Sequence, residues 1–411
     1  MSALLLPLWV ALLGADRIDF LGGSGPIVLT PFYALTPLVI LREVLHRRSR
    51  GQTALPAWEG RRAQYAALLL TLLSVAALSI LMSRDVPTSV GRLLLLVALS
   101  CGAGAVCWIG ADDPDWGERL ARGARWGLAL HAALCLIETA AFVHWLPAQW
   151  QVGPARLRLD PFTYAGVLPR PSGLTFDPNR AGLVSLVHWA LIDRVAVQRR
   201  RGWGLLTLAL LAATLSRSAL LAGLTYQAAR GRTDASRERT PRWRMPKLLP
   251  VLTGGLAVLL LLAPTWREQA ARALAPIAER LDASEGSARA HSSLLSQGLR
   301  EATRDVPRTI VGAGYGTSFL LLRDRFGGDR YGNYHSLYLT LWVESGIIAL
   351  LVLLMLLLRP LRFASGWRGL LLAGLSFNLF YQAIGEAAFW MIIALAWTSP
   401  VPEPSHPRRH G

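Results

Sequence analysis

The chain has 411 residues, 53% of them hydrophobic, a mean hydropathy of +0.36 and a formal net charge of +17. Its apolar residues are gathered into blocks of roughly 17–25, the length that spans a bilayer as a helix, which excludes an ordinary soluble protein of two or three domains. The arginines fall between the blocks rather than in one patch, so the basic balance argues for membrane topology and against nucleic-acid binding.

In chain order the blocks cover about 3–15, 26–42, 63–83, 91–109, 126–146, 181–197, 203–229, 247–265, 336–358 and 367–398. The first lacks a basic leader and a small-residue cleavage site, and is expected to be a retained span. Cys101, Cys107 and Cys135 all lie inside blocks, giving no disulfide framework and no metal-ligand spacing. The connections 42–62, 117–125, 194–201, 230–247 and 359–368 and the tail with Arg408 and Arg409 are all basic. If all face the cytoplasm, an even number of spans must separate them. Blocks 203–229 and 367–398 meet that condition only as hairpins of two short helices, turning at Ser216-Arg217-Ser218 and near Gly385-Glu386. Expected, then, is an all-α polytopic membrane protein of about twelve transmembrane helices, with both termini cytoplasmic.

Residues 1–146 form the N-terminal transmembrane helices and 147–180 a first long periplasmic loop, rich in proline, glycine and arginine. Central transmembrane helices occupy 181–265, including the short hairpin 203–229. A large helical periplasmic loop follows over 266–335, then C-terminal transmembrane helices over 336–398 and a cytoplasmic tail over 399–411. Within the large loop, 266–281 has the apolar spacing of an amphipathic helix lying on the membrane or on the bundle. A second helix is expected over about 292–303.

Each half of block 203–229 has about 12 residues, roughly 18 Å of helix, against a hydrocarbon core of about 30 Å. Arg217 is therefore expected below the outer surface. An intramembrane arginine is costly unless paired, and marks a functional site by default. The outward face further offers Arg170, Asn179, Arg289 and His335. Arginine presents a planar fork of donors suited to phosphate oxygens. Several arginines with one histidine, and no nucleophilic serine or cysteine motif, suit a reaction with a phosphate leaving group and a general base. Without ATP outside the cytoplasm, the energy must come from an activated substrate, and a polyprenyl-diphosphate sugar fits both membrane and arginines.

Four stretches carry a family resemblance: Arg170 to Asn179 (RPSGLTFDPN), Leu215 to Ala219 (LSRSA), Val311 to Gly316 (VGAGYG), and Asn333 to Tyr338 (NYHSLY) with Glu344-Ser345-Gly346 after it. In order, spacing and placement of the large outward loop, the chain resembles the O-antigen ligase and polymerase superfamily. The resemblance covers about 165–350 by motif and the whole chain by topology. It implies a GT-C-like glycosyltransferase at the outer face of the bacterial inner membrane. Such an enzyme moves a glycan from undecaprenyl diphosphate to a sugar hydroxyl of lipid A-core, or, as a polymerase, onto another lipid-linked glycan, with no cofactor and no metal. It further implies His335 as the catalytic base, Arg217 and Arg289 as diphosphate-binding residues, and Arg170 as substrate-facing or loop-structuring. Asn179, Glu344 and Gly314 support the site. A lipid-linked-oligosaccharide or polysaccharide transporter is the alternative from another class, but a transporter should line a path with charge toward both faces.

Other residues have plainer roles. Glu344 lies nine residues past His335, about 13–14 Å along one helix, too far to orient it, and is expected to pair with Arg217. Gly312, Gly314 and Gly316 lack the strand and helix of a dinucleotide fold. They are read as a turn, with a diphosphate cradle from their N–H groups as the alternative. His291, near Arg289, is a rival base. His131 and His188 are expected to be packed or pore-lining. Asp112-Asp113-Pro-Asp115 is expected to cap the segment from Trp116. Asp16 and Asp19 are the better-placed metal candidates.

Overall fold

The computed structural model describes residues 4–17, 30–53, 55, 59–142, 144–147, 149–152, 155–158, 162–164, 168–195, 200–234, 286–326, 332–364 and 366–398. The amphipathic helix expected over 266–281, the block 247–265, Asp19 and the tail lie outside these residues. The described chain is mostly helical. Three helical stretches are long and apolar enough to cross a membrane: Gly60–Met82, Val86–Gly110 and Leu337–Arg362.

In order, α1 is Leu5–Ala11, α2 Pro31–Ser49, α3 Gly60–Ser79 continued by a 3₁₀ turn Ile80–Met82, α4 Val86–Gly110 and α5 Trp116–Phe142. Two antiparallel hairpins follow, β1 (Gln149–Val152) with β2 (Ala155–Arg158) and β3 (Phe162–Tyr164) with β4 (Leu168–Arg170). Then come α6 (Pro178–Val195), α7 (Arg200–Ala213), α8 (Arg217–Asp234), α9 (Gly286–Ala302), α10 (Val306–Val311), α11 (Ser318–Leu321), α12 (Arg323–Phe326), α13 (Leu337–Leu358), α14 (Arg368–Phe377) and α15 (Ala387–Trp397).

Two features depart from the expected pattern. α1 has seven residues, about 10 Å of helix, and closes in a turn at 12–14 where Gly14 has φ +81°; it is shorter than a span. Leu6, Trp9 and Val10 are buried, and α1 packs against α5 and α2. The first long loop carries the two hairpins in an otherwise helical chain, where residues such as Gln149-Trp150-Gln151-Val152 alternate with strand period.

Block 203–229 breaks at Thr214–Ser216, where Leu215 takes φ +49°. Block 367–398 breaks between Phe377 and Ala387. α15 is the centre of the bundle. Every residue from Ala388 to Trp397 is buried, and it packs against α3, α4, α6 and α14. A helix apolar all round belongs in a protein core or a bilayer, and here other helices cover it.

α13 is bent at Gly346 (φ 79°, ψ 175°). The carbonyls freed at the bend are taken by the following partners: Ala313 N–H donates to Val343 O (2.8 Å) and Gly314 N–H to Glu344 O (3.0 Å). Ser345 Oγ lies 3.3 Å from Ser79 Oγ near the end of α3. At the far end, Trp397 donates to Leu356 O and meets Tyr65 edge to face. α3 and α13 therefore run antiparallel, and Met82 and His335 lie at one end of the bundle. The opposite end holds an ion-pair cluster: Arg47 and Arg62 on Asp112, Arg50 and Arg119 on Asp113, and Arg119 on Glu43. Asp113 also accepts the Asp115 N–H at 3.2 Å, the local turn that starts α5.

Candidate functional site

The first motif is built on a buried ion pair that the sequence did not reveal. Arg17 pairs with Glu138 of α5, and both are buried. Glu138 accepts the N–H of Ser172 (2.8 Å) and Gly173 (2.7 Å). Arg17 donates to Ser172 Oγ (2.6 Å) and Thr175 O (2.7 Å). Leu174 N–H donates to His131 Nδ1 (3.2 Å). Gly173 has φ +56°, and a Cβ there would come within 2.6 Å of His131 Nδ1. Pro, Ser, Gly and Thr of RPSGLT thus form a turn folded around one arginine–carboxylate pair, and His131 is packed, as is His188 against Val10 O (2.9 Å). Each charge is satisfied by its partner and by backbone, the condition for tolerating burial.

The end of the motif starts α6. Asp177 Oδ1 accepts the N–H of Asn179 (2.6 Å) and Arg180 (3.3 Å), a cap for α6 with Pro178 at its first position. Arg170 donates from Nε to Thr214 O (2.9 Å), and Asn179 Oδ1 accepts from Ser216 Oγ (2.7 Å). Ser216 Oγ in turn accepts the Ala219 N–H (3.2 Å). The first and second motifs, some 40 residues apart, therefore clasp each other, and Arg217 is set at the first position of α8, where the helix dipole adds to its charge. Arg170 is loop-structuring in this arrangement.

Arg180, directly after the motif, joins three further segments. It pairs with Asp16 (2.7 Å) and Glu386 (2.7 Å) and donates to Tyr381 Oη (3.2 Å). Asp16 also accepts the Phe176 N–H at 2.7 Å, so the proposed metal candidate is already engaged. Tyr381 O and Asn378 O both accept the Leu337 N–H, at 3.0 and 3.1 Å. The break between α14 and α15 thus touches the start of α13. The sequence signal for it was Glu386 inside an apolar block.

His335 sits at that start. It takes φ +53°, and its N–H donates to Asn333 Oδ1 (2.8 Å). A non-glycine residue in this region is uncommon and is held only by its surroundings. Its ring is half-buried and lies 4.5 Å, centroid to centroid, from that of His291 on α9. The two rival bases are therefore neighbours. Burial pushes the His335 pKa below its ordinary 6.5, against an upward pull from Asp177. His335 is thus neutral at neutral pH and able to accept a proton. Arg289 lies in the first turn of α9, two residues before His291; its side chain is outside the described residues.

Glu344 departs from expectation. Its carboxylate does not pair with Arg217 but accepts the N–H of Gly316 (2.9 Å) and Ser318 (3.0 Å). Tyr315 N–H donates to Ser79 Oγ (3.1 Å). The N–H groups of residues 313–316 are therefore taken by α3 and α13, and that of Gly312 by Arg308 O (3.0 Å), which leaves none for a diphosphate cradle. Gly314 has φ +111°, and a Cβ there would lie 2.6 Å from Ser83 Cα. Its role is to let the turn 312–316 dock on the connection between α3 and α4. The reason is local: a buried carboxylate needs hydrogen-bond donors, and the turn at 316–318 brings two backbone N–H groups onto it.

Among the described residues, no three His, Cys, Asp or Glu side chains come together as metal ligands. No model of a known protein family matches the chain, and no curated protein matches it in sequence.

Proposed function

We propose that the protein is a membrane glycosyltransferase that moves a glycan from a polyprenyl (undecaprenyl) diphosphate to a sugar hydroxyl, in the manner of the O-antigen ligase superfamily that its motifs resemble. In this proposal it has about twelve transmembrane helices in a GT-C-like arrangement in the inner membrane of a bacterium, and His335 faces the periplasm. The observation that carries the proposal is the convergence of motifs distant in sequence at one end of the bundle. His335 is held neutral there, Asp177 stands within electrostatic reach of it, and Asp177 caps the helix whose Asn179 clasps the Arg217 turn.

His335 takes the proton of the acceptor hydroxyl as its oxygen attacks the anomeric carbon of the donor. The bond to the diphosphate oxygen breaks, and Arg217 and Arg289 neutralise the charge arriving on that oxygen. Preorganised donors of this kind are commonly worth about 3–4 kcal/mol of barrier each. The inverse order of charge, with arginines toward the diphosphate and histidine toward the acceptor, keeps base and leaving group apart.

Purified protein with a polyprenyl-diphosphate glycan and candidate acceptors tests this. Transfer to lipid A-core identifies a ligase, and lengthening of the lipid-linked chain a polymerase. His335→Ala should abolish either product while leaving donor binding intact. Vesicle translocation of the lipid-linked glycan without any new glycosidic bond would identify a transporter and overturn the proposal.

A further inference from the structure

A cleft opens beside the glycine turn, at the same end of the bundle. It is a small open cleft, with a volume of about 60 Å³, and its lining includes Met82, Arg84, Arg308, the Gly312-Ala313 backbone and Thr317. One wall is the turn joining the two candidate spans Gly60–Met82 and Val86–Gly110, so the cleft lies at a membrane–water boundary. Trp342, whose indole donates to Thr309 O (3.2 Å), marks the same level on α13.

Charge here needs a reason. The arginine-rich connections and their carboxylates lie at the opposite end, and the end where His335 sits is the one that should hold few unpaired cations. Arg308 is partly neutralised by Glu301 (2.7 Å) and Asp305 (3.6 Å). Arg84 is exposed, and no described residue hydrogen-bonds to it or ion-pairs with it. Beside it the apolar surface is open: Leu81 is 83% exposed, Met82 45% and Val86 48%. Cationic head above, bare apolar flank below, is the complement of an anionic lipid.

We propose that this cleft binds the phosphate headgroup of an outer-leaflet glycerophospholipid, with Arg84 and Arg308 on the phosphate and the acyl chains against Leu81, Met82 and Val86. The bound lipid braces the turn 312–318 against the α3–α4 connection, and it does so whatever reaction the His335 end performs.

The test uses the full-length protein in detergent, titrated with phosphatidylglycerol or phosphatidylcholine and read by native mass spectrometry and by a fluorescent-lipid competition assay. Phosphatidylglycerol should be retained in preference to phosphatidylcholine, whose choline cation faces the arginines. Arg84→Gln should weaken retention about five-fold, from about 1 kcal/mol per surface arginine, and Arg84→Gln with Arg308→Gln further. Arg84→Gln removes no contact within the described fold, so its effect is not one of misfolding. Equal retention by wild type and Arg84→Gln overturns the proposal. So does full displacement of the lipid by millimolar inorganic phosphate, which would make the cleft a free-anion site.

Discussion

Glu344 is where sequence and structure diverge most, and it supports a quantitative prediction. In Glu344→Ala the Gly316 and Ser318 N–H groups, bonded at 2.9 and 3.0 Å, lose their acceptor in a buried place that water does not reach. A hydrogen bond to a charged group contributes about 1.5–3 kcal/mol, so two set an upper bound near 6 kcal/mol. Removing the carboxylate also recovers the cost of burying it, which brings the net loss to about 2–4 kcal/mol. Glu344→Gln keeps an acceptor oxygen for one N–H and turns its amide toward the other, and should lose about half as much. Unfolding by SDS in mixed micelles gives the free energies, and limited proteolysis between 312 and 336 reports whether the turn has come loose. If Glu344→Ala unfolds within 0.5 kcal/mol of wild type and the turn stays protected, the carboxylate does not hold it. If Arg217→Ala alone reproduces the Glu344→Ala defect, the expected ion pair returns.

Transfer activity should rise with pH through an acid limb below 6.5, because burial lowers the His335 pKa and only the neutral ring accepts a proton. Asp177→Asn keeps the α6 cap but removes the charge that raises this pKa, so the limb should move to still lower pH; a move to higher pH would show that Asp177 does not act on His335. Gly346→Ala should cost about 3 kcal/mol or more, since φ 79° with ψ 175° belongs almost to glycine alone and the new Cβ would overlap the Ile310 carbonyl oxygen; SDS unfolding measures it. Asn179→Ala and Ser216→Ala should be coupled by about 1 kcal/mol in a double-mutant cycle, and purely additive losses would deny the clasp. At the opposite end, Asp112 and Asp113 have pKa values lowered below the ordinary 3.8: burial opposes this, but hydrogen bonds and charge from arginines and, for Asp113, the Asp115 N–H outweigh it. Their contribution to stability is full above that value and is lost as pH falls through the folded pKa, so Asp112→Asn should flatten the acid dependence of the unfolding midpoint.

Periodicity and charge in the sequence alone determined the helical class, the membrane-length blocks and the two blocks that had to break. Apolar length is a property of each segment by itself, and a basic connection constrains its neighbours' number whatever their packing. Arg217 stood out as a candidate because an arginine inside an apolar block is costly, whereas Arg170, Asn179 and His335 stood out only through the motifs that hold them. What only the tertiary structure decided is who meets whom. Nothing local marks Arg17 for Glu138, 121 residues away, or Arg180 for Glu386, and nothing in a glycine-rich stretch tells whether its N–H groups face a ligand or Glu344. A buried charge is satisfied by whatever the fold brings within about 3 Å, and that partner is set by the packing of whole helices rather than by the residues on either side of it.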